Sequence, residues 1–149
     1  MIEINQIKTV PYGEKIFNFS EFVHELREIK IDCEVIYIGL QSSSINPEII
    51  KYHNYYIIGI DQGLLIYNTE NNETIFKKLD WNYSFSKIMD RKLFVFAGPS
   101  LIVFEGSSEI VSKTFPDIVD SIEQINKSEY NIHLFDESKI IFKLTDYKK

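Results

Sequence analysis

One hairpin pattern recurs along this chain at a spacing of about 37 residues, and it limits the fold more than any other feature. The first copy is Tyr56-Ile57-Ile58-Gly59-Ile60, a turn at Asp61-Gln62-Gly63, then Leu64-Leu65-Ile66-Tyr67. The second is Leu93 to Ala97, Gly98-Pro99-Ser100, then Leu101 to Phe104. The third is Ile132 to Phe135, Asp136-Glu137-Ser138, then Lys139 to Phe142. Each apolar, β-prone run is too short for a helix, and Gly63 supplies the positive φ that a tight hairpin turn wants. Further strands follow the turns at Glu70-Asn71-Asn72 and Gly106-Ser107-Ser108, over Glu73–Leu79 and Glu109–Phe115.

The segments outside the hairpins read differently. Ile2, Ile4 and Ile7 suggest a short strand, and Pro11 to Glu14 a turn. Phe19, Phe22, Val23, Leu26 and Ile29 form a stripe of 3.6-residue period, which predicts a helix over 19–30 capped by Asn18 and Glu21. Cys33 to Leu40 reads as a buried strand, and 41–47 as a Ser-rich loop. Ile118, Val119, Ile122 and Ile125, after Pro116, predict a second helix over 117–126. The expected fold is mainly β, a β-rich α+β arrangement. It is an antiparallel meander sheet or split barrel of eight to ten strands with one or two covering helices. A single domain spans 1–149, with a strand-helix-strand part at 1–53 and hairpin repeats at 54–145.

The unit from Tyr56 to Asn68 resembles the inner hairpin of a β-propeller blade, and the likeness extends over 54–145. It carries no Trp-Asp dipeptide and no Kelch glycine pair. Three such units are too few to close a ring, which takes about four to eight blades.

No catalytic constellation stands out. His24, His53 and His133 share no ligand spacing, so no metal site is expected. His24 lies off its apolar stripe and reads as solvent-exposed, while His133 sits in a strand and reads as a cross-strand contact. The lone Cys33 opens an apolar strand and reads as inert core. The six glycines frame no phosphate loop, and no Gly-x-Ser-x-Gly elbow occurs. The expectation is a binding protein, not an enzyme, with no cofactor. Met1 to Gln6 has neither a basic nor a hydrophobic leader region, and no apolar run approaches the roughly 20 residues that span a bilayer. A cytoplasmic protein follows as the expectation.

Charge is the more informative signal. Between Glu105 and Glu137 eight acids face two lysines, a local balance of −6 that equals the net charge of the whole chain. An acidic patch on an otherwise balanced scaffold disfavours nucleic acid and anionic membrane and suits a basic protein. The candidate recognition residues are Asp117, Asp120, Glu123, Glu129, Asp136 and Glu137. Trp81 and Tyr83, which alternate with Phe85 on one side of an extended segment, are candidate aromatic anchors. Small size, acidic patch and absence of catalytic motifs resemble the bacterial immunity proteins of polymorphic-toxin and contact-dependent-inhibition systems. That resemblance implies a protein that covers the active site of a cognate toxin. The alternatives are an interaction or assembly domain that pairs hairpin edges, as a homodimer or with another chain, and a small-ligand-binding β protein or enzyme with a site near Tyr55, Tyr56 and Trp81.

Overall fold

The computed structural model describes residues 2–42 and 45–144. Ser43 and Ser44 of the Ser-rich loop, and residue 145 at the end of the hairpin region, lie outside the described residues. Fifteen strands form four sheets among the described residues. Sheet I holds β1 (Ile2–Ile7), β2 (Ile16–Asn18), β3 (Glu25–Ile31) and β4 (Glu34–Leu40), in the order β1-β3-β4-β2. Only β2 and β4 run parallel. Sheet II is a meander of β5 (Glu48–Tyr52), β6 (Tyr55–Ile60), β7 (Gly63–Asn68) and β8 (Thr74–Lys78). Sheet III repeats it with β9 (Tyr83–Met89), β10 (Lys92–Ala97), β11 (Ser100–Glu105) and β12 (Ser108–Thr114). Sheet IV has β13 (Val119–Gln124), β14 (Glu129–Leu134) and β15 (Lys139–Lys143).

The recurring hairpins are therefore the central strands of three successive meanders, β6–β7, β10–β11 and β14–β15. Their apolar character on both sides has a packing cause. Ile58, Ile60, Leu65 and Tyr67 face a core shared with sheet I, while Ile57, Leu64 and Ile66 face one shared with sheet III. Sheet III does the same: Leu93, Val95 and Phe104 meet sheet II, and Phe94, Phe96, Leu101 and Val103 meet sheet IV. The four sheets stack through three cores, and the chain needs two-sided strands in the middle of the stack. Each fully buried Leu or Phe there contributes about 1.5–3 kcal/mol. The end sheet IV alternates: Tyr130, Ile132 and Phe142 face inward, while Glu123 and Ile141 are exposed.

Two-residue turns join most of the hairpins, and the first turn residue carries positive φ: Asp32, His53, Asp61, Asp90, Gly98 and Gly106. This matches the right-handed twist of the flanking strands. Gly63 was expected to supply the positive φ of the β6–β7 turn, but Asp61 does so, at 49°. Gly63 is needed for space instead. A Cβ there would lie 2.5 Å from the Phe19 ring.

Neither expected helix exists among the described residues, and the strand count exceeds eight to ten. Residues 25–31 form β3, with Glu25, Arg27, Ile29 and Ile31 buried on one face between β1 and β4. The stripe that suggested a helix mixes loop and strand: Phe22 is 67% exposed. Residues 119–124 form β13. A bulge between Val119 and Ser121 shifts its phase, so Val119 and Ile122 face the same core three residues apart. A bulged strand thereby imitates helical spacing. Cys33 is exposed in the β3–β4 turn and is not core. Among the described residues, no helix is long and apolar enough to cross a membrane.

Candidate functional site

Sheet IV ends in the β14–β15 turn, residues 135–138, where Glu137 adopts a positive φ of 72°. Asp136 closes that turn by accepting from the Ser138 N–H at 2.9 Å and the Ser138 hydroxyl at 2.5 Å. These bonds hold its carboxyl below the usual carboxylate range. The Phe135 N–H donates to the Ile118 carbonyl at 2.9 Å, which pins the segment before β13 beside the turn. Asp120 and Glu137 thus come to line one open hollow, about 540 Å³, together with His133, Leu134 and Phe135. Asp117 sits beside it, accepting from the Ile118 N–H at 2.8 Å. Phe135 and Ile118 are 61% and 40% exposed. None of Asp117, Asp120, Asp136 and Glu137 makes an ion pair among the described residues.

Of the other sequence candidates, Glu123 borders the hollow through His133, and Glu129 lies at the far end of the sheet. Glu123 stands on the outer face of sheet IV, with His133 Nε2 and Asn131 Nδ2 each 3.2 Å from its Oε1. The His133 contact first, then the amide, lowers its pKa. Glu129 opens β14, at the end opposite the 135–138 turn, and accepts from Asn126 Nδ2 at 2.7 Å. Glu105 and Glu109 are tied to Lys92 and Lys77, at 4.0 and 2.9 Å. The acidic window of the sequence therefore resolves into one unpaired cluster and several internally satisfied carboxylates.

Trp81 lies against the turn at Gly98, where a Cβ would be 3.0 Å from the Trp81 Cβ. The Gly98 carbonyl accepts from the Val119 N–H at 3.1 Å, so Trp81, half-exposed, borders the acidic end. Tyr83 does not. A bulge opposite Phe96 and Ala97 puts Tyr83 and Phe85 on opposite faces of β9, not on one side as alternation suggested. Phe85 stacks on Phe96 at 4.6 Å, toward sheet IV. Tyr83 packs toward sheet II, over Gly59, where any Cβ would land on its ring.

Tyr83 enters a second cleft, about 300 Å³, with Ser42, Asn46, Glu48, Asp61, Asn82 and Ser84. Sequence reasoning missed it; the one signal was a glycine, Gly59, inside an otherwise bulky strand. Its principal polar groups are engaged within the fold. Asp61 accepts from the Gln41 and Ser42 N–H groups and the Ser42 hydroxyl. Glu48 accepts from the Tyr83 hydroxyl and the Ser86 N–H, and Asn46 accepts from Arg27 at 2.6 Å. Burial, then the Glu48 bond, drives the Tyr83 phenol far above its ordinary range, so it stays protonated. Arg27 is itself buried against Glu25 at 2.5 Å. The cleft thus ties β5, β9 and the segments that follow β4 and β6 together. Among the described residues, no three His, Cys, Asp or Glu side chains gather in a way that could hold a metal ion.

No protein-family model matches the chain, and no curated protein matches it.

Proposed function

We propose that this chain is a small acidic binding protein that docks a basic partner protein at the end of sheet IV. One observation carries the reading: Asp120 and Glu137 line one hollow with exposed Phe135, and neither they nor the neighbouring Asp117 and Asp136 make an ion pair among the described residues. Clustered unpaired carboxylates raise the local negative potential, which a cationic surface relieves. Phe135, Ile118 and Trp81 add apolar anchors beside the charge, the combination that concentrates binding energy in protein interfaces. This is the chemistry an immunity protein would use to cover the cationic groove of a cognate toxin in the cytoplasm.

The partner to test is a basic protein, first of all the C-terminal domain of any large secreted protein whose reading frame lies immediately upstream of this chain's. Titrated against the ¹⁵N-labelled protein, it should shift amides 117–120 and 134–138 and leave the Tyr83 cleft unmoved. Shifts confined to other surfaces would contradict the proposal.

A further inference from the structure

Among the described residues, sheets II and III each have four strands and sheet IV has three, with no second strand beside β15. β7 is covered by β8 and β11 by β12, but β15, their counterpart, pairs only with β14 among the described residues. The ladder identifies the peptide groups left over. The Leu144 N–H donates to Ser128 and the Leu134 N–H to Ser138, so the even-numbered residues of β15 face β14. The N–H and C=O groups of Lys139, Ile141 and Lys143 point outward, and no described residue bonds to them. The side chains of these three share the outer face of the sheet, with Ile141 57% exposed between two exposed lysines. Ile140 and Phe142 turn toward the core.

We propose that β15 is a strand-addition site that takes, in trans, an extended partner segment in which acidic and apolar residues alternate. The outward peptide groups supply the ladder, and side-chain alternation supplies the selectivity. An added strand would set one side-chain series on the core side and the other on the outer face beside Lys139 and Lys143. Acidic residues belong on that outer face, as cross-strand partners of the lysines. A second copy of this chain fits poorly. Antiparallel pairing of two β15 strands about Ile141 would set Lys139 directly against Lys143 twice, and opposed like charges destabilise a sheet. Edge lysines discourage self-association while leaving the edge open to an anionic strand. This inference rests on the edge of β15 and not on the acidic end, so each stands or falls alone.

The test uses the ¹⁵N-labelled full chain and two end-capped seven-residue peptides, one alternating Glu and Val, the other Lys and Val. The Glu/Val peptide should saturate and slow hydrogen exchange of the Lys139, Ile141 and Lys143 amides, and the Lys/Val peptide should not. Ile141→Pro removes an outward donor without breaking a bond to β14, and should weaken binding about tenfold. Should that variant fail to give a folded spectrum, Lys139→Glu/Lys143→Glu decides, because it should reverse the peptide preference. No saturation, equal binding of both peptides, or changes centred on 117–120 and 135–138 or on β8 and β12 would overturn the proposal. So would a concentration-dependent dimer, seen by sedimentation, that the single reversal Lys139→Glu strengthens, since the new carboxylate of each copy would then face Lys143 of the other and the occupant would be a second copy.

Discussion

The Gly106 N–H donates to the Tyr52 hydroxyl at 3.0 Å, tying the end of β5 to the β11–β12 turn. The hydroxyl in turn donates to the Arg91 carbonyl at 2.8 Å, in the β9–β10 turn. One buried phenol thus fastens sheet II to two turns of sheet III. Burial outweighs the Gly106 bond and raises its pKa. Tyr52→Phe should leave two backbone groups short of a partner and cost about 1–3 kcal/mol. Urea unfolding should show a lower midpoint with an unchanged slope.

Tyr130 poses the opposite case. It is fully buried in the core between sheets III and IV, and its hydroxyl has no hydrogen-bond partner among the described residues. Tyr130→Phe removes a desolvated polar group while keeping the ring that packs on Phe94 at 4.9 Å. The variant should be more stable than the parent by about 1 kcal/mol. Chemical denaturation reads the sign directly.

Alkaline pH should unfold the protein. Burial raises the phenol pKa values of Tyr52, Tyr83 and Tyr130 above the ordinary 10.0. A raised folded-state pKa favours the folded state fully below pH 10 and loses that contribution as pH climbs toward the folded values. Stability should therefore be flat up to about pH 10 and fall beyond it. The fall should be shallower in Tyr130→Phe. Thermal melts from pH 8 to 12 measure it.

Asp136 gives the acidic counterpart. The Ser138 hydroxyl, its largest influence, holds the carboxyl low. Ser138→Ala should move the Asp136 pKa up toward the ordinary carboxylate value. A lowered folded-state pKa helps the fold above the ordinary value and stops helping as pH falls through the folded one. In the variant that loss should begin at higher pH. Carboxyl carbon shifts of Asp136 through an NMR titration report the change.

The repeating hairpins were legible because their signals are local: apolar runs, Asp or Gly turns, and a constant spacing. Two strands of the first sheet, β1 and β4, were legible as well, but β3 and β13 read as helices, because their periodicity depends on partners far along the chain. Ile29 and Ile31 are held in β3 by Ile4 and Ile2 of β1 and by Ile36 and Glu34 of β4. The bulges at Val119–Ser121 and opposite Phe96 and Ala97 each reset which side chains share a face, and no composition marks them. The acidic excess was visible as a count. Which carboxylates gather was not, since that follows from one hydrogen bond, Phe135 to Ile118, between segments 17 residues apart.

On the proposed reading, the carboxylates around Phe135 steer a cationic protein into place. Stopped-flow association with the basic partner protein, from low to high salt, tests this most directly. Asp120→Lys/Glu137→Lys should slow association about tenfold at low salt and flatten its dependence on ionic strength, with the fold intact. Unchanged rates and an unchanged salt slope in that variant would contradict the claim.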